Sequence, residues 1–133
     1  MTRTATCSCG RLKIVVTGEP RYAGLCSCLQ CQRRSGSAFG YNSYWPRTNV
    51  VAVEGVHATW RRGSDAGRGI DFHFCATCGA TVFWDVDYDP DLAAVAVGNF
   101  ADPAFPPPQY AEWGVSRHPW VQVPDGCRQK PGQ

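Results

Sequence analysis

Seven of the eight cysteines stand in three tight groups, Cys7-Ser-Cys9, Cys26-Ser-Cys28-Leu-Gln-Cys31 and Cys75-Ala-Thr-Cys78, and no other feature limits the fold so strongly. Such spacing admits a disulfide framework or metal ligation. The first ten residues lack the apolar stretch of a secretory signal, and no run approaches the ~20 residues of a membrane span, so a cytoplasmic protein with no membrane partner is expected. Thiols in that compartment stay reduced, which makes metal binding the leading explanation.

Cys7 and Cys9 are two apart, so on an extended segment their side chains point the same way and can meet at one ion. Between Cys75 and Cys78 two residues let the chain turn beneath a metal, and Gly79 can take the positive φ that such a turn demands. These four thiolates make a closed tetrahedral zinc site that brings distant strands together and adds folding free energy to a small core. Cys26, Cys28 and Cys31 hold a second ion from one loop. Three ligands leave a tetrahedral ion an open position, the arrangement that separates catalytic from structural zinc.

Two zinc ions per chain are therefore expected. Cys127, in a Pro- and Gly-flanked segment, is read as free and surface-exposed; as a fourth ligand it would close the second site. His57, His73 and His118 are isolated, and none is assigned as a ligand. His73, two residues before Cys75 on a strand-like run, is expected to pack beside that cysteine.

The 133 residues suit one domain with one modest core. Short β-branched and aromatic runs at 12–17, 41–45, 50–53, 58–61, 70–74, 81–85 and 92–97 are separated by Gly, Pro, Asn or Asp, predicting a mainly β architecture of short antiparallel strands. Residues 22–39 read as a metal-bound loop with one helical turn after Cys31, and 101–108 as an irregular, Pro-rich surface crossing. The domain is expected to span residues 1–126, with 127–133 a mobile tail. Tyr41, Tyr44, Trp45, Phe72, Phe74, Phe83, Trp84 and Trp120 are expected mostly in the core, with one or two lining a pocket. A net charge of +2 gives no nucleic-acid footprint, and the pairs Arg33–Arg34 and Arg61–Arg62 read as solvated loop residues.

Taken together, the first Cys-Ser-Cys, the central CSCLQC followed by QRRSGSAF, CATCGATVF, the segment 97–102 and a late His-Pro-Trp resemble the glutathione-dependent formaldehyde-activating enzymes, a family that includes the centromere protein V type domain. The resemblance runs from Cys7 to about Gly126. It implies an Mss4-like, zinc-stapled fold, a structural zinc on Cys7, Cys9, Cys75 and Cys78, and a second zinc on Cys26, Cys28 and Cys31. It further implies a carbon–sulfur lyase that takes a small thiol such as glutathione and a small aldehyde, giving S-(hydroxymethyl)glutathione from formaldehyde. Arg33 and Arg34, directly after Cys31, are expected to offset the charge of three thiolates and to meet glutathione's carboxylates. Members commonly have histidine between the first two cysteines of the central motif, where this chain has Ser27.

Two other readings share the motifs. A zinc-stabilised binding module would have both ions structural, and a redox or storage role would oxidise Cys26 and Cys28 reversibly. The fourth ligand of the second site separates the first of these from an enzyme.

Overall fold

A computed structural model describes residues 1–63 and 67–133. It contains a three-stranded sheet and an eight-stranded sheet. The small sheet has order β1-β2-β5, from Thr2–Thr6, Lys13–Thr17 and Val50–Glu54, all antiparallel. The large one runs β11-β10-β3-β4-β9-β8-β7-β6, from Arg128–Gln129, Tyr110–Glu112, Tyr22–Cys26, Gly40–Pro46, Leu92–Ala96, Thr81–Val86, Ile70–Cys75 and His57–Arg62. Among the described residues only β10 pairs in parallel, with β3 on one side and β11 on the other. The mainly β, antiparallel-rich architecture expected from the runs is what forms.

Period-two alternation decides which side each residue serves. On β2, Ile14 and Val16 are buried, and with Ala5 and Leu12 they meet Trp45, Phe83 and Val95 of the large sheet, and Val97 just after it, in the principal core. Residues of opposite parity on the large sheet form a second, smaller core of Phe72, Trp84, Val86, Ala94 and Ala96 with Tyr44 and Ile70 beside it. Strand β9, lying between β4 and β8, faces both cores, and all five of its residues are buried. Three of the five are alanines, so neighbouring rings can close over the strand.

The short helix α1, Leu29–Ser35, lies against β4. Good helix formers fill it, the Cys28 sulfur caps its first turn, and its end closes with the Gly36 N–H on the Gln32 carbonyl at 2.8 Å. No α1 residue is fully buried. Polar tethers therefore do the work that an apolar face does in most helices.

Several expectations need correction. Residues 22–26 form a strand rather than part of a loop, and the helix begins before Cys31 and runs for seven residues. Arg33 and Arg34 belong to that helix, and Arg61 and Arg62 to β6. The segment 127–133, read as a mobile tail, carries β11 and is bonded to β10 and the turn after it, with Lys130 N–H on Ala111 O and Gly114 N–H on Lys130 O, both 2.9 Å. The sheet thus extends past residue 126. Trp120 is exposed, not core, while Trp45, Phe72, Phe83 and Trp84 are buried as expected. Residues 101–108 contain no helix or strand, although Phe105 is buried against Phe100.

Candidate metal centres and the cavity beside the second

Cys7 and Cys9 follow β1, and Cys75 ends β7 with Cys78 in the turn after it. Gly79 sits at φ 79° and returns its N–H to the Cys75 carbonyl at 2.9 Å, the tight turn expected beneath a metal. The four sulfurs lie within 4.8 Å of one another, with Cys7–Cys9 at 3.6 Å and Cys9–Cys75 at 3.5 Å. A tetrahedral ion with 2.3 Å bonds needs sulfur edges of about 3.8 Å, so the donor set and its spacing fit zinc. Cys7 and Cys75 are buried, whereas Cys9 and Cys78 are exposed. Burial opposes ionisation of Cys7, but the Leu12 N–H at 3.2 Å and the neighbouring sulfurs outweigh it and bring its pKa to about 6.

The second cluster joins two elements. Cys26 ends β3, Cys28 caps α1 and accepts the Cys31 N–H at 3.3 Å, and Cys31 lies on the helix. Their sulfurs also lie within 4.8 Å of one another. The neighbouring thiols Cys26 and Cys31 pull Cys28 far below the ordinary thiol range, while Cys28 and Cys31, together with burial, push Cys26 well above it. Three crowded sulfurs cannot all ionise unaided, and a divalent cation is what allows it. This donor set fits zinc as the first does.

Among the described residues no fourth cysteine, histidine or carboxylate completes this group. Cys127 is half-buried elsewhere, so it leaves the cluster open. His73 shares a face of β7 with Cys75, as alternation predicts, since the extra residue of the register shift lies on β8, and it does not join the cluster. Its ring stacks on Phe83, and its nitrogens meet Asp85 at 2.8 Å and Thr59 at 2.9 Å. His57 packs edge-on against His73, and His118 lies 3.1 Å from the Gln32 amide oxygen.

The open side of the second cluster faces a cavity of about 330 Å³, whose walls include Tyr44, Tyr88, Tyr110, Glu112, Phe72 and Trp84. Burial raises the Tyr44, Tyr88 and Tyr110 hydroxyls, so these walls stay neutral. Glu112 is pushed up by burial and by the nearby Cys28 charge. Arg34 reaches under the cluster, its guanidinium 4.4 Å from the Trp84 ring centre and 2.9 Å from the Asn42 amide oxygen. The Asn42 amide nitrogen in turn points at the Cys31 sulfur, 3.8 Å away. Arg33 is exposed and lines a neighbouring groove rather than this cavity.

Gln32 fixes the loop from behind. Its amide nitrogen donates to the carbonyls of Ser27 at 2.9 Å and Ser116 at 3.0 Å, and the Ser116 hydroxyl donates to the same Ser27 carbonyl at 2.7 Å. Sequence reading missed Asn42, Gln32, Glu112, Tyr88 and Tyr110, while Tyr44 is one of the aromatic residues expected mostly in the core that does line a pocket. Asn42, Tyr110 and Glu112 are ordinary polar or aromatic residues until β-pairing brings them beside residues 24–26.

The family described as glutathione-dependent formaldehyde-activating enzyme matches residues 2–116. The chain belongs to this family. A crystal structure of a Rhodobacter sphaeroides protein is similar in fold, with a TM-score of 0.59 and 22% identity over 80% of this chain and 92% of that one. No protein of curated function matches the chain. The glutathione-dependent formaldehyde-activating family match takes in all seven clustered cysteines and ends at Ser116, the residue that clamps Ser27. Among the described residues, no helix is long and apolar enough to cross a membrane.

Proposed function

We propose that this protein joins a thiol to an aldehyde, the glutathione and formaldehyde type of carbon–sulfur bond formation catalogued with the lyases. The observation that carries the reading is the three-cysteine group at Cys26, Cys28 and Cys31, incomplete as a tetrahedron and open to a lined cavity. Cys7, Cys9, Cys75 and Cys78 hold a structural zinc in this reading, since two of them belong to the principal core.

Cys26, Cys28 and Cys31 would hold a zinc ion, which when bound would acidify a thiol and polarise a carbonyl. In the net reaction a carbon–sulfur bond forms, the carbonyl π bond breaks, and the thiol proton ends on the former carbonyl oxygen. The chain's own residues orient and balance charge. Arg34 counters the excess negative charge of three thiolates, and Asn42 links it to Cys31. Gln32 and Ser116 hold the Ser27 carbonyl so that Cys26 and Cys28 keep their spacing. The rings of Tyr44, Phe72 and Trp84 exclude water from one side. Closure of the second site by a side chain would favour a non-catalytic module instead, and Cys127 stands outside the cluster.

The test is zinc content together with exchange spectroscopy on glutathione and ¹³C-formaldehyde. The expected result is two zincs per chain and adduct formation faster than the spontaneous reaction, with the acceleration lost in Cys28→Ser. A fully zinc-loaded wild-type protein no faster than buffer would sink the reading.

A further inference from the structure

Among the described residues Trp113 is one of two non-glycine residues with positive φ, at φ 58° and ψ 43°. In that left-handed region a bulky side chain crowds its own backbone, and the glycine that would sit there freely is the next residue, Gly114. Such an outlier persists only where surrounding contacts over-determine it. Here the contacts come from a strap, residues 128–133. The N–H groups of Trp113, Gly114 and Val115 donate to the carbonyls of Gly132 at 3.0 Å, Lys130 at 2.9 Å and Pro131 at 3.2 Å. The Trp113 ring lies beside Gly132, its edge 4.0 Å from where a methyl group on that glycine would stand.

Ring and strap together roof the second cluster. Trp113 and Gln133 both line its cavity of about 330 Å³. Gln133 also lines a space of about 500 Å³ beside Tyr22 and Tyr110, and another of about 260 Å³ beside Arg62 and Ile70, so the strap ends where three spaces meet.

The two sides of this contact are held unequally. The turn that carries Trp113 is fastened to the loop of the cluster, because Ser116 donates to the Ser27 carbonyl and accepts from the Gln32 amide. The strap has no such anchor. None of its residues is buried, and backbone bonds hold it, with the Arg117 guanidinium on the Gln129 amide oxygen at 3.0 Å as a surface addition. A segment with few buried contacts and exposed hydrogen bonds opens before the body of a fold does. It also lies beyond Ser116, where the family match ends.

We infer that residues 128–133 and the Trp113 ring form a lid on the cavity of the second cluster, closed in this structure, that lifts as one piece. Lifting removes the acceptor of the Trp113 N–H, frees that backbone to leave the left-handed region, and carries the ring and Gln133 off the opening. Strain at Trp113 favours the open form and the backbone bonds favour the closed one. The lid serves the cavity whatever chemistry the cluster performs, so it does not depend on the proposed reaction.

The test uses the zinc-loaded full-length protein, with amide hydrogen exchange and the chromophoric chelator 4-(2-pyridylazo)resorcinol as readouts. Trp113, Gly114 and Val115 are expected to exchange through one shared opening, far less protected than Ala94 and Val95 on β9. Lys130→Pro removes the strap's N–H bond to Ala111 and should lower protection at all three roughly tenfold, with release of the second zinc faster by a similar factor. Trp113→Gly removes the ring while suiting the backbone, and should also speed that release. In both variants the zinc on Cys7, Cys9, Cys75 and Cys78 should leave as in wild type. The phase belonging to the second zinc is the one missing from Cys28→Ser.

Exchange of 113–115 at unrelated rates, or protection indifferent to Lys130→Pro, would show that the strap does not lift as one piece. Unchanged release of the second zinc in both variants would mean that nothing roofs the cavity. Equal acceleration of both zincs would mean a loosened fold, and the lid assignment would fall with it. If only one zinc binds per chain, the proposed reaction falls and hydrogen exchange alone decides the lid.

Discussion

Arg34 passes directly over Gly40, so closely that a methyl group at residue 40 would lie 2.5 Å from the guanidinium Nη2. Gly40 opens β4 opposite Cys26, and the missing side chain is what lets the arginine reach Asn42 beneath the second cluster. Gly40→Ala is expected to cost about 1–3 kcal/mol, as overpacking of a filled site does. Arg34→Ala in the same chain should return part of that loss, giving a non-additive double-mutant cycle in urea denaturation. Strict additivity would show that the arginine can simply swing aside.

The two cysteine groups should answer differently to substitution. Cys75 is in the principal core, so Cys75→Ser is expected to abolish cooperative unfolding followed by circular dichroism. Cys28→Ser removes one ligand but keeps a side chain able to cap the helix and leaves both cores intact, so a cooperative transition should remain with one zinc fewer per chain. Equal loss of fold in both variants would overturn the division between them.

Gln32 makes two donations to carbonyls of different loops. Gln32→Ala should cost about 1–3 kcal/mol and weaken the second zinc by roughly 10- to 100-fold, the scale of lost supporting contacts around a metal. Competition with a chromophoric chelator would read the affinity, and an unchanged value would leave Gln32 a purely structural strut.

Asp85 carries a pH signature. The hydrogen bond from His73, and the Arg47 guanidinium at 2.7 Å, hold its carboxyl below the ordinary value. A depressed carboxylate adds stability that is fully present above the unfolded value of about 3.9 and disappears as pH falls through the lower folded value. Asp85→Asn should therefore lower stability near neutrality and flatten its fall below about pH 4, measured as urea midpoints against pH. A parallel pair of curves would remove the assignment.

Much of the architecture is legible in the residues. The runs at 12–17, 41–45, 50–53, 58–61, 70–74, 81–85 and 92–97 all fall on strands apart from their end residues Leu12 and Val97, because their β-branched and aromatic side chains suit a half-buried pleat. The cysteine groups are legible because ligand spacing is local. Other elements carry no such signal. Strand β1, Thr-Arg-Thr-Ala-Thr, buries only Ala5, and β10 is three residues whose place depends on parallel pairing with a strand more than eighty positions away. The cavity walls escape for the same reason, since nothing local ties Glu112 to Cys26 or Arg62 to Arg34. His73 does share a face of β7 with Cys75, as alternation predicts, but its bond to Asp85 depends on a strand pairing that no local signal shows.

A helix with no fully buried residue draws little from the hydrophobic effect, and α1 brings Cys31, Gln32 and Arg34 to the second cluster through ligation and polar bonds alone. The occupied form of this corner is then governed by mass action in free zinc, gaining about 1.4 kcal/mol for each tenfold rise above the dissociation constant. Temperature and denaturant act on the two cores, but metal supply acts here. Loss of metal from this corner alone would silence the molecule while most of its amide protons remained protected from exchange, with the loss of protection confined to residues 27–36.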